Sequence, residues 1–350
     1  MSRRPRMFAF LPLLLCAFGG PRLADNQPLP SFEIQSQEMA QIDADRIPPL
    51  SAKSAVVVDY SSNRIMYAEA PDQSLPPAST TKMMTALLTL EEGRLDQEVT
   101  VSALAAGVGG TSMNLAAGQQ LSVRELLYGL LLPSGNDAAM TLAQRDSVDP
   151  QPFVNRMNSR AAQLGLTSTH FVNPHGLDAT GHVSSAYDLA ELARYTLQHQ
   201  PLFDQIVATA TYTIPAAPGH PEFDLSNLDQ LLGNYPGADG VKTGTTEAAK
   251  QVLVGSVTRD GHRVLSVVMG SDDRYADSRL LLDHAFGDNV WLRPDLYFPM
   301  RMPIKIQNSD NPVVPNWEWP QVEAFVDPDA MKASFSLLGR SIAGVPVQTA

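Results

Sequence analysis

The chain has 350 residues, of which 37 are acidic and 25 are lysine or arginine, so its formal net charge is −12. Such an acidic protein is a poor candidate for binding nucleic acid or anionic lipid. Its only cysteine is Cys16, so a chain that lost residues 1–24 would have no disulfide, no thiolate nucleophile and no cysteine-ligated zinc. The histidines lack metal-ligand spacing, and we expect no metal and no cofactor.

Residues 1–24 have the pattern of a signal peptide. Three arginines precede an apolar run from Met7 to Phe18, which is too short to span a bilayer. Residues 25–50 contain several prolines and no sustained period, which is typical of a linker. We therefore expect an exported protein, in the periplasm or at the outer face of the cytoplasmic membrane or in the cell wall.

Strand patterns at both ends of residues 51–286 flank a mainly helical middle. The predicted strands are Ser54–Asp59, Ile65–Tyr67, Gly240–Gly244, Val252–Thr258 and Arg263–Met269. The predicted helices comprise one with Met83, Ala86, Leu87 and Leu90 on one apolar face, then Val123–Leu132, Pro152–Leu164, Ser185–Leu197 and Tyr275–Phe286. Ser185 and Asp188 have the spacing of a capping box. Asp260-Gly261 predicts a tight hairpin turn.

This order predicts an α/β (α+β) domain over residues 51–286. One antiparallel sheet, built from both ends of the domain, would be covered by helices and interrupted by an inserted helical subdomain. Residues 287–350 are rich in proline and are predicted to form a small β-rich C-terminal module.

Ser79 and Lys82 are candidates for catalysis at the start of the first helix. They are three residues apart and therefore lie on one helix face. Lysine is a weak base at its free pKa of about 10.4, but desolvation or a second cation favours its neutral amine. Lys242 is a candidate for that cation. The alternative is that Ser79 is only an N-cap and Lys82 a solvated charge.

The triplet Ser134-Gly135-Asn136 follows Pro133 and is predicted to lie on a tight loop. Ser134 can relay a proton to a leaving amine. The amide of Asn136 can bond both the catalytic lysine and a substrate carbonyl. On its own, the triplet would more simply be an ordinary turn.

The third motif, Lys242-Thr243-Gly244-Thr245, ends a strand that can bind a peptide by β-augmentation. Gly244 is expected to let the substrate approach the backbone. The N–H groups of Thr245 and Ser79 can form an oxyanion hole, and Lys242 with the Thr245 hydroxyl favours a substrate carboxylate. Alone, this would be a surface strand end. Together and in this order, the three motifs indicate a serine nucleophile with a lysine base.

This set of motifs is known from class A β-lactamases and penicillin-binding proteins. Over about residues 50–286 the chain resembles the low-molecular-mass penicillin-binding proteins that act as serine-type D-alanyl-D-alanine carboxypeptidases. The matching stretches are Leu75–Lys82, Ser134–Ala139, His170–Asp178 and Tyr235–Thr246. The resemblance implies a penicillin-binding transpeptidase/β-lactamase-like fold and acylation of Ser79 by peptidoglycan stem peptides that end in D-Ala-D-Ala. It also implies release of the terminal D-alanine and covalent inhibition by β-lactams.

The resemblance further implies that Arg274 helps to hold the substrate's terminal carboxylate, with a salt-bridge patch among the neighbouring aspartates as the alternative. It implies a structural loop at Asn173–Gly176 in which His175 is part of the scaffold. The chain departs from the family at Lys250, which follows Ala249 where the family usually has glycine. Ile342–Ala350 is predicted to be a strand, so we expect the family's usual C-terminal membrane anchor to be absent.

Three interpretations remain open. The first is a D,D-carboxypeptidase, and the second is a D,D-endopeptidase or β-lactamase of the same superfamily. A class A β-lactamase needs a carboxylate base for deacylation, and no glutamate stands in a matching loop between Asn136 and Lys242. The third is a non-catalytic wall-binding or β-lactam-sensing protein, which would be expected to have lost one of the serines or lysines above.

Overall fold

The computed structural model describes residues 22–23, 47–291, 304–306, 313–315, 322–327, 332–337 and 340–349. The chain divides into two compact units. One is Ile34–Trp291, and the other combines Met1–Glu33 with Leu292–Ala350. The predicted signal peptide and linker lie mostly outside the described residues.

The larger unit alternates between strands and helices, with most helices in the middle of the sequence. Its strands are β1 (Ser54–Asp59), β2 (Ile65–Glu69), β3 (Glu98–Thr100), β4 (Gln120–Ser122), β5 (Thr211–Ile214), β6 (Phe223–Ser226), β7 (Ala238–Thr246), β8 (Lys250–Arg259), β9 (His262–Ser271) and β10 (Asn289–Trp291). Its helices are a 3₁₀ helix at Ala78–Thr81, α1 (Lys82–Glu91), α2 (Ala103–Ala106), α3 (Val123–Leu131), α4 (Asn136–Ala143), α5 (Gln151–Gln163), α6 (Ala186–His199), α7 (Pro201–Val207) and α8 (Arg274–Asp288).

A five-stranded antiparallel sheet in the order β2-β1-β9-β8-β7 is the base of this unit. β1 pairs with β9, so strands from the two ends of the domain meet at the centre of the sheet. This confirms the predicted sheet and the helical insertion. Asp260 and Gly261 join β8 to β9, and both have positive φ, which suits the tight turn predicted there. β7 lies at the edge of the sheet.

Two small two-stranded sheets, β3-β4 and β5-β6, interrupt the middle region that was predicted to be helical. These strands have only three or four residues each. A segment of that length has too few positions to show a clear alternation of apolar and polar residues.

Helix α1 runs through the core, because Lys82 and every residue up to Leu90 are buried. It contacts α3, α4, α5, α6 and α7. The predicted single apolar face is therefore incomplete, since the opposite side is also enclosed. Thr85 and Thr89 make that burial possible by donating their hydroxyls to the carbonyls of Pro174 (2.6 Å) and Thr85 (2.7 Å).

Helix capping differs in part from the expectation. Ser185 caps α6 by accepting from the N–H of Asp188, but the Asp188 carboxylate bonds Ser168 and Thr169 instead of closing the box. A complete capping box stands at the start of α3. There the Ser122 hydroxyl accepts from the Glu125 N–H, and the Glu125 carboxylate accepts from the Ser122 N–H. This box fixes the helix that leads into the Ser134 loop.

In the smaller unit, the described residues form a five-stranded sheet. Its strands, in spatial order, are Arg22–Leu23, Val322–Asp327, Lys332–Leu337, Arg340–Thr349 and Ile304–Ile306. The strand predicted at Ile342–Ala350 is thus confirmed and begins two residues earlier. No helix within the described ranges has the length and apolar character needed to cross a bilayer.

Candidate active site

Ser79 and Lys82 meet where the 3₁₀ helix at Ala78–Thr81 runs directly into α1. Lys82 Nζ lies 2.8 Å from Ser79 Oγ. It also lies 2.7 Å from Asn136 Oδ1 and 2.6 Å from the backbone oxygen of His175. The lysine side chain is completely buried. Three oxygen atoms from three separate segments therefore surround one amine in the interior.

Burial lowers the pKa of Lys82 well below its ordinary value, and the positive charge of Lys242 lowers it further. A neutral amine has two hydrogens to donate and one lone pair. Asn136 Oδ1 and the His175 carbonyl can only accept hydrogen bonds, so they take both hydrogens. The lone pair is left for the hydroxyl of Ser79, which is the arrangement of a base ready to accept the serine proton.

The Ser134 loop contributes one bonded side chain and one free hydroxyl. Asn136 divides its amide between Lys82 and the carbonyl of Gly109, to which its nitrogen donates at 2.7 Å. Ser134 has φ of 62°, an uncommon value for serine, and its carbonyl accepts from the Thr111 hydroxyl at 2.6 Å. Ser134 Oγ is buried and has no hydrogen-bond partner among the described residues.

Lys242 is the second fully enclosed lysine of the site. It lies on edge strand β7, with only 2% of its surface exposed, and its amine donates to the carbonyl of Thr243 at 3.1 Å. Burial lowers the pKa of Lys242 to about 7; the carboxylate of Asp229 opposes this shift and the Arg274 guanidinium adds to it. Thr243 is also buried.

Two glycines allow the nucleophile segment to pack closely against its neighbours. A Cβ on Gly244 would lie 2.9 Å from both Ala78 Cβ and Ser79 N. A Cβ on Gly176, which has φ of 93°, would overlap the carbonyl of Ala78. Gly244 is expected from the sequence to make room for substrate, and the structure adds a second reason for it. The missing side chain leaves space for the serine segment itself.

Arg274 reaches the end of β7 from the start of α8. Its Nη1 donates to the carbonyl of Gly244 at 2.8 Å and to Thr245 Oγ1 at 2.9 Å. The Thr245 hydroxyl donates in turn to the Gly244 carbonyl at 2.8 Å, and Thr245 is exposed. Arg274 and Thr245 thus lie together at the end of β7, and the Arg274 guanidinium is close enough to act electrostatically on Lys242 in the middle of that strand.

The salt-bridge alternative for Arg274 is not what the described residues show. Asp272 pairs with Lys250 at 2.7 Å, Asp273 caps α8, and Asp277 accepts hydrogen bonds from two serines. Arg274 pairs with none of these three aspartates. Lys250 has φ of 55°, a conformation that glycine adopts more readily than lysine.

Buried histidines form the scaffold next to the nucleophile. His182 Nδ1 accepts from the N–H of Val172 at 2.9 Å, so Nε2 carries the proton and donates to the Thr81 hydroxyl at 2.8 Å. Burial lowers the pKa of His182 to about 4 and that of His175 to about 3. Both rings are therefore neutral at ordinary pH. His175 serves Lys82 through its backbone, as a member of the scaffold.

The sequence analysis missed two groups that the structure brings into the site. The backbone oxygen of His175 bonds Lys82, and no residue pattern marks a carbonyl for that role. The carboxyl of Asp229 is buried and acts electrostatically on Lys242. Asp229 belongs to none of the three motifs. Within the described part of the chain, no cluster of side chains suits a metal ion.

A serine hydroxyl facing a buried lysine amine, beside an edge strand that carries a second lysine, is the arrangement that serine acyl transfer with a lysine base requires. The model of the family described as D-alanyl-D-alanine carboxypeptidase matches residues 40–273. The chain belongs to this peptidase family, and its similarity to penicillin-binding proteins is thereby confirmed.

Named relatives and solved structures agree with this membership. The chain is 37% identical over 244 residues to D-alanyl-D-alanine carboxypeptidase DacF of Bacillus subtilis, covering 67% of this chain and 62% of that protein. It is 34% identical over 254 residues to DacA of Escherichia coli K12, covering 69% and 62%. It is 31% identical to the DD-transpeptidase of Streptomyces K15, with a TM-score of 0.65, covering 69% of this chain and 99% of that one. The chain thus spans about three fifths of the length of DacF and DacA.

We expect Gly176→Ala to disrupt the site, because its new methyl group would displace the carbonyl of Ala78. The reaction of Ser79 with a fluorescent penicillin should slow by roughly 100-fold, since a misplacement of about 1 Å is enough for such a loss. Gly181→Ala is the matched control, because Gly181 also has positive φ but has open space around it. It should lower the free energy of unfolding by only about 1–2 kcal/mol. Similar labelling rates for both variants would contradict the packing argument.

We expect the neutral state of His182 to make stability depend on pH. Its pKa is about 4 when folded and 6.5 ordinarily, so the unfolded chain takes up a proton first as pH falls from about 6.5 toward 4. The titration of His182 should by itself lower the free energy of unfolding by about 3 kcal/mol in this window, at 1.36 kcal/mol per pKa unit. Buried His175 acts in the same direction. His182→Asn should be less stable at pH 7 and lose less on acidification, measured by urea unfolding. His199→Asn, at an exposed site, should follow the parent protein.

Proposed function

We propose that this protein is a serine D,D-carboxypeptidase that removes the terminal D-alanine from peptidoglycan stem peptides ending in D-Ala-D-Ala. The observation that carries the proposal is the contact of Lys82 Nζ with Ser79 Oγ at 2.8 Å, with the other two partners of the amine restricted to accepting. Membership of the D-alanyl-D-alanine carboxypeptidase family supports the substrate. β-Lactams are expected to react with the same serine as covalent inhibitors.

In the proposed reaction, Ser79 Oγ attacks the carbonyl carbon of the penultimate D-alanine while its proton moves to Lys82. The oxyanion accepts hydrogen bonds from the N–H groups of Ser79 and Thr245. When the intermediate collapses, the peptide C–N bond breaks and the leaving amine takes a proton. Water then attacks the ester, which restores the serine hydroxyl and releases the shortened peptide as a carboxylate.

Ser134 is the proposed relay for the proton that the leaving amine takes from Lys82. Its Oγ is buried, and no hydrogen-bond partner occupies it among the described residues. A buried hydroxyl without a partner is unfavourable, so a bound substrate nitrogen would satisfy it. Asn136, which already holds Lys82, is proposed to orient the amine and to meet the substrate near Gly109.

The terminal carboxylate is proposed to bind along the second half of β7, to Lys242, Thr243 and Thr245, with Arg274 at the end of the strand. Charge-assisted hydrogen bonds to a carboxylate are the strongest that such a pocket can offer. This pocket lies next to Ser79, because Gly244 has no side chain and β7 can therefore contact the segment that carries Ser79. This contact supports a carboxypeptidase, which must recognise a free C-terminus.

Transpeptidases and β-lactamases form the same kind of ester on serine as a carboxypeptidase. They differ from it in the molecule that accepts the acyl group and in the base that assists release of the ester. The DD-transpeptidase similarity leaves an amine acceptor as an alternative to water. A β-lactamase would need a carboxylate base close to the ester. Asp137 is the carboxylate that influences Lys82, and it is already held by Ser112 and by backbone N–H groups. The carboxypeptidase is therefore the proposal that the contacts support best.

The proposed substrate also bears on location. Peptidoglycan stems lie outside the cytoplasmic membrane, so the reaction requires an exported enzyme. The signal peptide predicted at residues 1–24 supplies a route. We propose that the protein lies in the periplasm, at the outer face of the cytoplasmic membrane or in the cell wall.

The purified protein should release free D-alanine from a diacyl D-Ala-D-Ala peptide, and penicillin should add one covalent mass that maps to Ser79. Ser79→Ala should lose both reactions. Lys82→Arg keeps a positive charge but cannot act as a base at neutral pH, so it should bind penicillin without being acylated. An adduct on another residue, or acylation of the Lys82 variant at the parent rate, would show that the assignment is wrong.

Arg274→Ala should reduce the preference for a free carboxylate over a C-terminal amide. Removing one partner of an enclosed charge pair costs on the order of 2–4 kcal/mol, or roughly 30- to 1,000-fold in kcat/KM for the acid substrate. The amide substrate should lose much less. Arg279→Ala is the matched control, because Arg279 is exposed on the same helix. An equal loss on both substrates would mean that Arg274 only supports the fold.

A further inference from the structure

Asp229, in the loop between β6 and β7, has a buried carboxyl group with one unused oxygen. The residue is 4% exposed. Its Oδ1 accepts from the N–H of Leu231 at 2.9 Å. Its Oδ2 is enclosed and has no hydrogen-bond partner among the described residues. Leaving a buried polar atom unpaired is costly, so such an atom requires an explanation.

The loop of Asp229 is held against two parts of the site. The N–H of Leu228 donates to the carbonyl of Leu132, just before the Ser134 loop, at 3.2 Å. The hydroxyl of Tyr275, next to Arg274, accepts from the N–H of Gln230 at 3.2 Å and donates to the carbonyl of Leu228 at 3.0 Å. These contacts fix the loop, and the Asp229 carboxyl is close enough to influence both Lys242 and Arg274.

The proposed chemistry requires the two buried lysines to hold opposite charge states. Lys82 must be a neutral amine to accept the proton of Ser79. Lys242 must be an ammonium to attract a carboxylate. Desolvation lowers the pKa of both lysines, and a positive charge on one lysine disfavours a positive charge on the other. Burial alone therefore cannot decide which of the two lysines carries the proton.

Asp137 and Asp229, the two carboxylates near these lysines, differ in the number of hydrogen bonds that they accept. Asp137, which acts on Lys82, accepts from the Ser112 hydroxyl at 2.6 Å and from the backbone N–H groups of Met113 and Leu115 at 3.1 and 2.9 Å. Asp229, which acts on Lys242, accepts one backbone N–H. The carboxylate that accepts fewer hydrogen bonds is therefore Asp229, the one that acts on Lys242.

We propose that Asp229 is a positioning residue that acts through Lys242, as the buried carboxylate whose charge keeps Lys242 protonated while Lys82 stays neutral. This inference rests on the proposed function, because it assigns the charge states which that reaction needs. It adds a residue outside the three motifs to the determinants of carboxylate recognition.

The charged groups that act on Asp229 among the described residues are Lys242 on β7 and Arg274 at the start of α8. The titratable hydroxyl of Tyr275 meets the backbone of the loop. Burial raises the pKa of Asp229 to about 6, and the pKa of Lys242 is about 7. Between these values the pair is an anion beside a cation. As pH rises through about 7, Lys242 loses its proton and the attraction for a carboxylate weakens.

Asp229→Asn is the decisive variant, since it keeps the shape of the side chain and removes its charge. Lys242 then loses its anionic partner, and its proton should leave at a lower pH. The alkaline limb of kcat/KM for the acid substrate should move down by about one pH unit or more, and KM at pH 7 should rise more than kcat falls. KM for the C-terminal amide should change little. Asp229→Glu should restore much of the parent profile.

Asp188→Asn serves as the matched control, because Asp188 is another buried carboxylate, held by Ser168 and Thr169 and outside the site. It should leave the alkaline limb in place even if it lowers stability. Superimposable pH profiles for the parent protein and Asp229→Asn would overturn the inference.

A readout without turnover separates this inference from the proposed function. In protein labelled with ¹³Cε-lysine, the resonance of Lys242 can be assigned by its loss in Lys242→Arg. It should titrate near pH 7 in the parent and about one unit or more lower in Asp229→Asn. An unchanged titration would overturn the role of Asp229 whatever the activity. A shifted titration in a protein that releases no D-alanine would keep the role of Asp229 and reject the proposed substrate.

Discussion

The site depends on the complete burial of one amine, that of Lys82. Transferring a charged ammonium into a protein interior costs several kcal/mol, whereas a neutral amine that donates two hydrogen bonds fits there. The carbonyl oxygens of Asn136 and His175 supply these acceptors. The core position of α1 therefore determines the chemistry. Because helices enclose Lys82 on several sides, its amine is neutral and keeps a free lone pair. The group next to that lone pair is the hydroxyl of Ser79.

This constraint also explains why three distant segments converge on so short a stretch of chain. The loop of Asn173–Gly176 must bring a carbonyl to Lys82 while passing the carbonyl of Ala78, and only glycine leaves room for that at position 176. Strand β7 must bring Lys242 close enough to repel a charge on Lys82. The segments must therefore pack closely. The hydrogen bond from Lys82 to the His175 carbonyl and the repulsion from Lys242 both weaken as the distance to the Lys82 amine grows.

The sequence predicted the features that depend on local pattern. The bounds of β1 at Ser54–Asp59 agree with the structure, because a β-branched run beside a turn is a local signal. The sequence did not predict that α1 is buried on all sides. Thr85 and Thr89 are polar residues, and they are buried only because their hydroxyls donate to backbone carbonyls. The three motifs marked the side chains near Lys82. They could not reveal the carbonyl of His175 or the charge of Asp229, which enter the site only through the path of the folded chain.

Strained and unsatisfied groups occur at this site as well as elsewhere in the described residues. Ala78 and Ser134, beside and within the proposed catalytic groups, both have positive φ without being glycine. Ser134 Oγ, Asp229 Oδ2 and Arg274 Nε are buried without hydrogen-bond partners among the described residues. Each of these features lowers stability, and each persists only where the surrounding structure is rigid enough to impose it. The continuous burial of β1 and α1 provides that rigidity. A polar atom left unpaired there is one that a substrate or a neighbouring charge can satisfy, so part of the instability of the free protein becomes binding energy for the proposed reaction.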